Sequence, residues 1–158
     1  MMKIYNPATG ALLAEVPAAL PELVAERAAA ARASQPAWAA LPLQERMETM
    51  QRFRVGIAAE VESLAATLTA EVGKPIRQSR NEVNGLLPRI DFFIAQAEAA
   101  IGARQLHDDG GTREVLGFDA LGVIVNISAW NYPYFVGGNV FVPALLAGNA
   151  VLYKPSEF

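Results

Sequence analysis

The chain has 158 residues, 53% of them hydrophobic and 18% charged, and a net charge of −3. That length fits one domain of ordinary size, with an apolar share above that of an average globular chain. The acidic balance, without any Lys/Arg block, argues against a nucleic-acid footprint. The lack of cysteine excludes disulfides, a thiolate metal site and a cysteine nucleophile within these residues.

Two further expectations follow from composition. Met1-Met2-Lys3-Ile4-Tyr5-Asn6-Pro7 lacks the apolar stretch of a secretory signal. The apolar segments near the C-terminus are interrupted by Asn126, Asn131, Asn139 and Asn149, so none reads as a membrane span. A cytoplasmic protein is expected. Its apolar surplus calls for cover by another domain or subunit, because large exposed apolar patches are uncommon on monomers.

In chain order, Lys3–Tyr5 and Ala11–Val16 flank the turn-rich Asn6-Pro7-Ala8-Thr9-Gly10 and predict a short β-hairpin. Pro21 suits a first helical turn, and the Ala-rich stretch from Leu20 to Ala33 favours helix. Gln35-Pro36 and Leu41-Pro42 then read as brackets of a connector. From Leu43 to Val72 apolar residues recur mostly every three or four positions, which is helical periodicity. Gly56 suggests a division into two helices or a kink, and Gly73 with Pro75 supplies a stop. Another helix is expected over about 76–102, disturbed around Gly85 and Pro88. Leu106–Gly111 is polar and reads as a turn.

The period then changes. Thr112–Phe118 is a candidate strand, and Leu121–Ile127 has the β-branched content of a buried parallel strand. Gly137–Leu146 reads as helix, Gly148 as its C-cap and Ala150–Tyr153 as the next strand. The fold class is therefore α/β: an N-terminal hairpin and helices, then the first strand–helix–strand unit of a Rossmann-like parallel sheet, incomplete at Phe158. Residues 1–105 form the hairpin-plus-helices part, and 106–158 carry a strand and the βαβ unit.

Two segments carry chemistry. Ser128-Ala129-Trp130-Asn131-Tyr132-Pro133 follows the first parallel strand, and Lys154-Pro155-Ser156-Glu157 follows the second. Ligands of open α/β sheets collect outside the carboxyl ends of strands. Asn131 could donate an amide proton to a substrate oxygen there, although Asn beside Pro is also a common turn residue. Lys154 and Glu157 could grip ribose hydroxyls, or simply belong to a solvated strand-end loop. No Gly-x-Gly-x-x-Gly fingerprint is present, and Gly137-Gly138 is not one. His107, beside Asp108 and Asp109, has too few neighbours of the right type for a metal site. Met47 and Met50 read as core, Glu45-Arg46 and Glu60-Val61-Glu62 as solvated helix faces, and Lys74 as a cation at a helix end.

The run from Gly122-Val123-Ile124-Val125 through Ala129-Trp130-Asn131-Tyr132-Pro133 and Pro143-Ala144-Leu145-Leu146-Ala147-Gly148-Asn149 to Lys154-Pro155-Ser156-Glu157 resembles the NAD(P)-dependent aldehyde dehydrogenase superfamily. Asn6-Pro7-Ala8-Thr9-Gly10, Pro36-Ala37-Trp38-Ala39 and Glu71-Val72-Gly73-Lys74-Pro75 fit the same family upstream, so the resemblance covers essentially the whole chain. It implies oxidation of an aldehyde by a cysteine thiolate, with hydride passing to nicotinamide and the resulting thioester being hydrolysed or passed to coenzyme A. It assigns Asn131 as the oxyanion donor, Ser128, Ala129 and Trp130 to the cofactor channel, and Lys154, Ser156 and Glu157 to cofactor binding. A carboxylate at Glu157 disfavours a 2′-phosphate, so NAD is expected over NADP.

The resemblance also implies a homo-oligomer built partly through strands like Thr112–Phe118. The family's nucleophilic cysteine and general-base glutamate are expected beyond Phe158, so these residues alone should be inactive. The alternative is a non-catalytic nucleotide-binding or assembly module on the same scaffold. Many members carry Trp-Lys where this chain has Asn139-Val140, so a lysine at that position is lost.

Overall fold

The computed structural model describes residues 1–156. Glu157, named above as a cofactor residue, lies outside the described residues.

The hairpin forms as expected, β1 (Met2–Tyr5) pairing antiparallel with β2 (Leu12–Val16). Its turn is closed by Asn6, whose Oδ1 accepts from the amides of Ala8 at 2.9 Å and Thr9 at 3.2 Å. This is the local bonding that makes Asn a turn residue.

Helix α1 (Pro21–Ala39) begins at the expected proline but does not stop at Gln35-Pro36. Proline inside a helix removes one hydrogen bond. Here the last turn is tied down by tertiary bonds instead. Gln35 Nε2 donates to the Gly148 carbonyl at 2.9 Å and Trp38 Nε1 to the Leu145 carbonyl at 2.8 Å.

The 43–72 stretch is two helices, α2 (Leu43–Ala59) and α3 (Val61–Val72). They part at Glu60 rather than at Gly56. A lone helical glycine costs only about 1 kcal/mol relative to alanine, so Gly56 is tolerated. The corner is made by Glu60, to which the Ser63 hydroxyl donates at 2.6 Å on the carboxylate and 3.1 Å on the carbonyl. Gly73 ends α3 in the left-handed region, with φ +78°.

Helix α4 (Ile76–Ile101) runs unbroken through Gly85 and Pro88. Its row Val83, Leu86, Ile90 and Ala97 is buried, and Pro88 faces solvent. Fully burying such aliphatic side chains is worth roughly 1.5–3 kcal/mol each, enough to offset the bond that Pro88 removes.

The segment expected to turn at Leu106–Gly111 is instead β3 (Arg104–Asp108), paired antiparallel with β4 (Arg113–Leu116). Every β3 residue is exposed, so no alternation of apolar and polar residues marks it as a strand. The turn after it is an Asp turn: Asp109 Oδ1 accepts from Thr112 N at 2.7 Å and Gly111 N at 2.9 Å. Those bonds, with His107 beside them, hold the Asp109 carboxyl below its ordinary range. His107 stands 3.4 Å from Asp109, and no cluster of metal-ligating side chains occurs among the described residues.

The βαβ unit is present. β5 (Val123–Ile127) and β6 (Ala150–Lys154) are parallel in the register Val123↔Ala150 to Ile127↔Lys154, and α5 (Pro133–Leu146) connects them. Strand β5 is less buried than its sequence predicts, with Val125 62% and Ile127 72% exposed. Asn126 and Tyr153, a register pair, face α5: Asn126 Nδ2 donates to the Gly137 carbonyl, and the Tyr153 hydroxyl to the Pro133 carbonyl. Val125 and Ile127 point to the other face. The core lies between α2, α4 and α5 around Met50, Leu86, Ile90, Ala97, Val142 and Leu146, with Met47 packed against it. No described helix is long and apolar enough to cross a membrane.

Candidate functional site at the carboxyl ends of β5 and β6

The two strands end together. The Ser128 amide donates to the Lys154 carbonyl at 3.1 Å, one step beyond the ladder pair Ile127↔Lys154. The loop 128–132 and the segment 154–156 therefore leave the sheet side by side. Trp130, Asn131 and Tyr132 are exposed, and Ser128 is buried. Among the described residues the buried Ser128 hydroxyl has no hydrogen-bond partner.

Three clefts surround these ends. Trp130 lines one of about 380 Å³ with Pro7, Glu71 and Val72. Tyr132 lines another of about 360 Å³ with Gln78, Asn81, Glu82, Gly85 and Phe135. Pro155 and Ser156 line a third, about 340 Å³, under the β1–β2 hairpin and against Pro133 and Tyr134.

The start of α5 holds a feature that the sequence did not flag. Glu82, on α4, is 3% exposed, and its Oε1 accepts from the amides of Tyr134 at 3.0 Å and Phe135 at 3.3 Å. Its other carboxylate oxygen is ion-paired with Lys74, whose ammonium lies 3.6 Å above the Tyr132 ring centroid. Lys74 stands just past the end of α3, as expected, and its half-buried ammonium pairs with Glu82. The only hint in the sequence is a carboxylate on the helix face that also carries Ser79, Leu86 and Ile90.

A helix N-terminus following a strand is a ready site for a phosphate. In this protein a carboxylate already occupies it. Lys154 is the last residue of β6, and Ser156 lies two residues beyond it against the third cleft.

One other sequence reading changes. Arg46 is not on a solvated face: its guanidinium donates to the carbonyls of Ala39, Leu41 and Leu146. Asn139 on α5 accepts from Arg89 Nε of α4 at 2.7 Å.

Residues 1–158 match the model of the aldehyde dehydrogenase family from end to end. The chain belongs to the aldehyde dehydrogenase family. It is 35% identical to the 3,6-anhydro-alpha-L-galactose dehydrogenase of Streptomyces coelicolor, over 99% of this chain and 32% of that protein. Among solved structures, it superposes on the lactaldehyde dehydrogenase of Escherichia coli with a TM-score of 0.90 at 32% identity, covering 99% of this chain and 33% of the other. An NADP-dependent glyceraldehyde-3-phosphate dehydrogenase from Bacillus halodurans, complexed with NADP, matches with a TM-score of 0.89 at 27% identity, over 98% and 34% of the two chains. This aldehyde dehydrogenase chain thus spans about a third of the length of the relatives it matches.

Proposed function

We propose that these residues serve in an NAD(P)-dependent aldehyde dehydrogenase that oxidises an aldehyde to a carboxylic acid. They supply the oxyanion donor and one wall of the cofactor crevice. The family match over residues 1–158 carries the reading. The shared exit of the 128–132 loop and the 154–156 segment from β5 and β6 supports it.

In this reading Asn131 donates its side-chain amide to the aldehyde oxygen as a thiolate adds to the carbonyl carbon. Charge gathers on that oxygen as the carbon becomes tetrahedral, so a fixed donor lowers the barrier by about 3–4 kcal/mol. The thiolate comes from outside these 158 residues, which contain no cysteine. Bound nicotinamide supplies the hydride acceptor. Lys154 and Glu157 hold the nucleotide at its ribose, Ser156 adds to cofactor binding, and Ser128, Ala129 and Trp130 line the channel. Glu157 favours NAD over NADP through repulsion of a 2′-phosphate, and titration with both nucleotides measures that preference.

The same proposal treats 1–105 as hairpin and helices of the cofactor-binding domain, and 106–158 as an oligomerisation strand with the first βαβ unit. A homo-oligomer is supported by the exposed apolar residues Leu106 and Val115 on β3 and β4. The setting is cytoplasmic, which localisation of a fluorescent fusion checks.

The test joins these residues to the part of the E. coli lactaldehyde dehydrogenase that they do not cover and follows aldehyde-dependent reduction of nicotinamide. Activity is expected, and Asn131→Ala should lower kcat by about 10²–10³ without changing the melting temperature. An Asn131→Ala chimera as fast as its parent removes the oxyanion role. Calorimetric titration of the 158-residue chain with NAD is the second measurement. Weak, millimolar binding suits a part of an enzyme, whereas micromolar binding favours a stand-alone nucleotide-binding module.

A further inference from the structure

Helix α5 begins without a cap of its own. Tyr132 occupies the N-cap position and makes no side-chain hydrogen bond to the helix. Pro133 at the first helical position has no amide proton to satisfy. The next two amides, Tyr134 and Phe135, are both taken by Glu82 Oε1, delivered from α4 across the interior. The Glu82 side chain is fully buried, and that of its partner Lys74 is only 13% exposed.

A buried ion pair contributes little to stability on balance, because two charges must be stripped of water. Its value lies in the geometry it imposes. Lys74 directly follows Gly73, the residue that ends α3, and Glu82 sits in the second turn of α4. One end of the pair covers the Tyr132 ring, and the other fixes Tyr134 and Phe135. Asn131 precedes this anchored stretch directly. Its exposed side chain forms no hydrogen bond with the described residues, so its aim follows from the backbone of Tyr132 to Phe135.

We propose that Lys74 and Glu82 are positioning residues that together lock the loop–helix junction 131–135 and so aim the Asn131 amide. This rests on the reading of Asn131 as the oxyanion donor. Two elements distant in sequence from Asn131 thereby set its orientation, while neither charge touches the reacting atoms.

Removing one partner alone strands a buried charge and endangers folding, so the decisive variant neutralises both: Lys74→Met with Glu82→Gln. The glutamine keeps the volume and an acceptor oxygen but loses the charge and the cation that holds it in place. Lys74→Arg, with Glu82 intact, is the conservative rescue, since a guanidinium can both pair with the carboxylate and stack on the Tyr132 ring.

The measurements are made by NMR on the full 158-residue chain, uniformly ¹⁵N-labelled. They are amide hydrogen exchange and the relaxation of the Asn131 side-chain NH₂. In the double variant, exchange at Tyr134 and Phe135 should accelerate about tenfold, the scale of one charge-assisted hydrogen bond. The Asn131 side-chain signal should show increased motion. Exchange at Val83 and Ile90 and the urea midpoint should stay as in the parent. Lys74→Arg should return both loop readouts toward the parent.

Unchanged exchange at Tyr134 and Phe135, or an unchanged Asn131 signal, overturns the proposal. So does acceleration that spreads equally to Val83 and Ile90, which would make the pair a general support of the fold. None of these readouts uses turnover, so a failure here is distinct from a failure of Asn131→Ala in the activity assay.

Discussion

Arg46 on α2 donates from Nε to the carbonyl of Leu146 at 2.9 Å, closing the C-terminal end of α5 with a charge that comes from another helix. The same guanidinium reaches the Ala39 carbonyl at 3.0 Å and the Leu41 carbonyl, so one side chain ties together the end of α1, the connector to α2 and the end of α5. Unsatisfied carbonyls at a helix C-terminus carry partial negative charge, which a cation complements.

Arg46→Met keeps most of the apolar stem and removes all three bonds. Hydrogen bonds to charged groups are worth about 1.5–3 kcal/mol each, but they are not additive and water can reach part of this site. A loss of about 2–3 kcal/mol in urea unfolding is expected. Arg46→Lys should recover less than half of it, because an ammonium cannot span three carbonyls in the planar fork geometry. A loss under about 0.5 kcal/mol, the usual range for surface substitutions, would return Arg46 to the solvated face that its sequence context suggests.

Gly73 links the hairpin to the helices. Its φ is +78°, and a Cβ there would stand 2.7 Å from Pro7 Cγ. Gly73→Ala therefore meets two penalties: the left-handed conformation, about 1–2 kcal/mol, and the clash with the ring. Pro7→Ala should relieve only the second. In a double-mutant cycle the pair should be less destabilising than the sum of the single variants, a coupling of about 0.5 kcal/mol or more. Strict additivity would mean that Pro7 and Gly73 do not touch.

How much could be read in advance follows from these contacts. Elements with a strong period or a punctuating residue are legible: the hairpin around Asn6, the periodic stretch 43–72, the stop at Gly73 and the βαβ unit. Helix α1 overran Pro36 because bonds from Gln35 and Trp38 to the end of α5 act over sequence separations that no local pattern reveals. Strand β3 escaped because none of its residues is buried. At the site, Asn131 follows β5 as expected, whereas Lys154, expected just after the second strand, is the last residue of β6; the two strands end together. Glu82 was illegible as a cap, since nothing near it in sequence announces the uncapped start of α5.

Tyr134 gives the fold a pH dependence on the alkaline side. Burial raises the pKa of its phenol above the ordinary 10.0, and the carboxylates of Glu71 and Glu82 push the same way. Its hydroxyl donates to the Leu64 carbonyl at 3.2 Å, a bond that requires the proton. A folded-state pKa above the unfolded one means that the folded chain holds the proton more tightly. The contribution is therefore complete below the ordinary value and is lost as pH rises through the higher folded value. The urea midpoint should fall more steeply above pH 10 in the parent than in Tyr134→Phe, which is less stable at neutrality but flatter. Parallel pH profiles for the two proteins would show that Tyr134 ionises as freely in the fold as outside it.

The 158 residues by themselves should form no NADH from NAD and an aldehyde. Hydride leaves an aldehyde carbon readily only after a nucleophile has added to it, and covalent addition at neutral pH is the task of an activated thiolate. No cysteine is present to supply one. Ser128, the serine that directly follows β5, is buried, and among the described residues no base accepts from its hydroxyl. Asn131 can stabilise charge but cannot create the bond. The measurement is nicotinamide absorbance with the purified chain before and after iodoacetamide, which silences any thiol enzyme carried over from the host. Turnover that survives iodoacetamide and disappears in Asn131→Ala would establish a route through this chain that needs no thiolate.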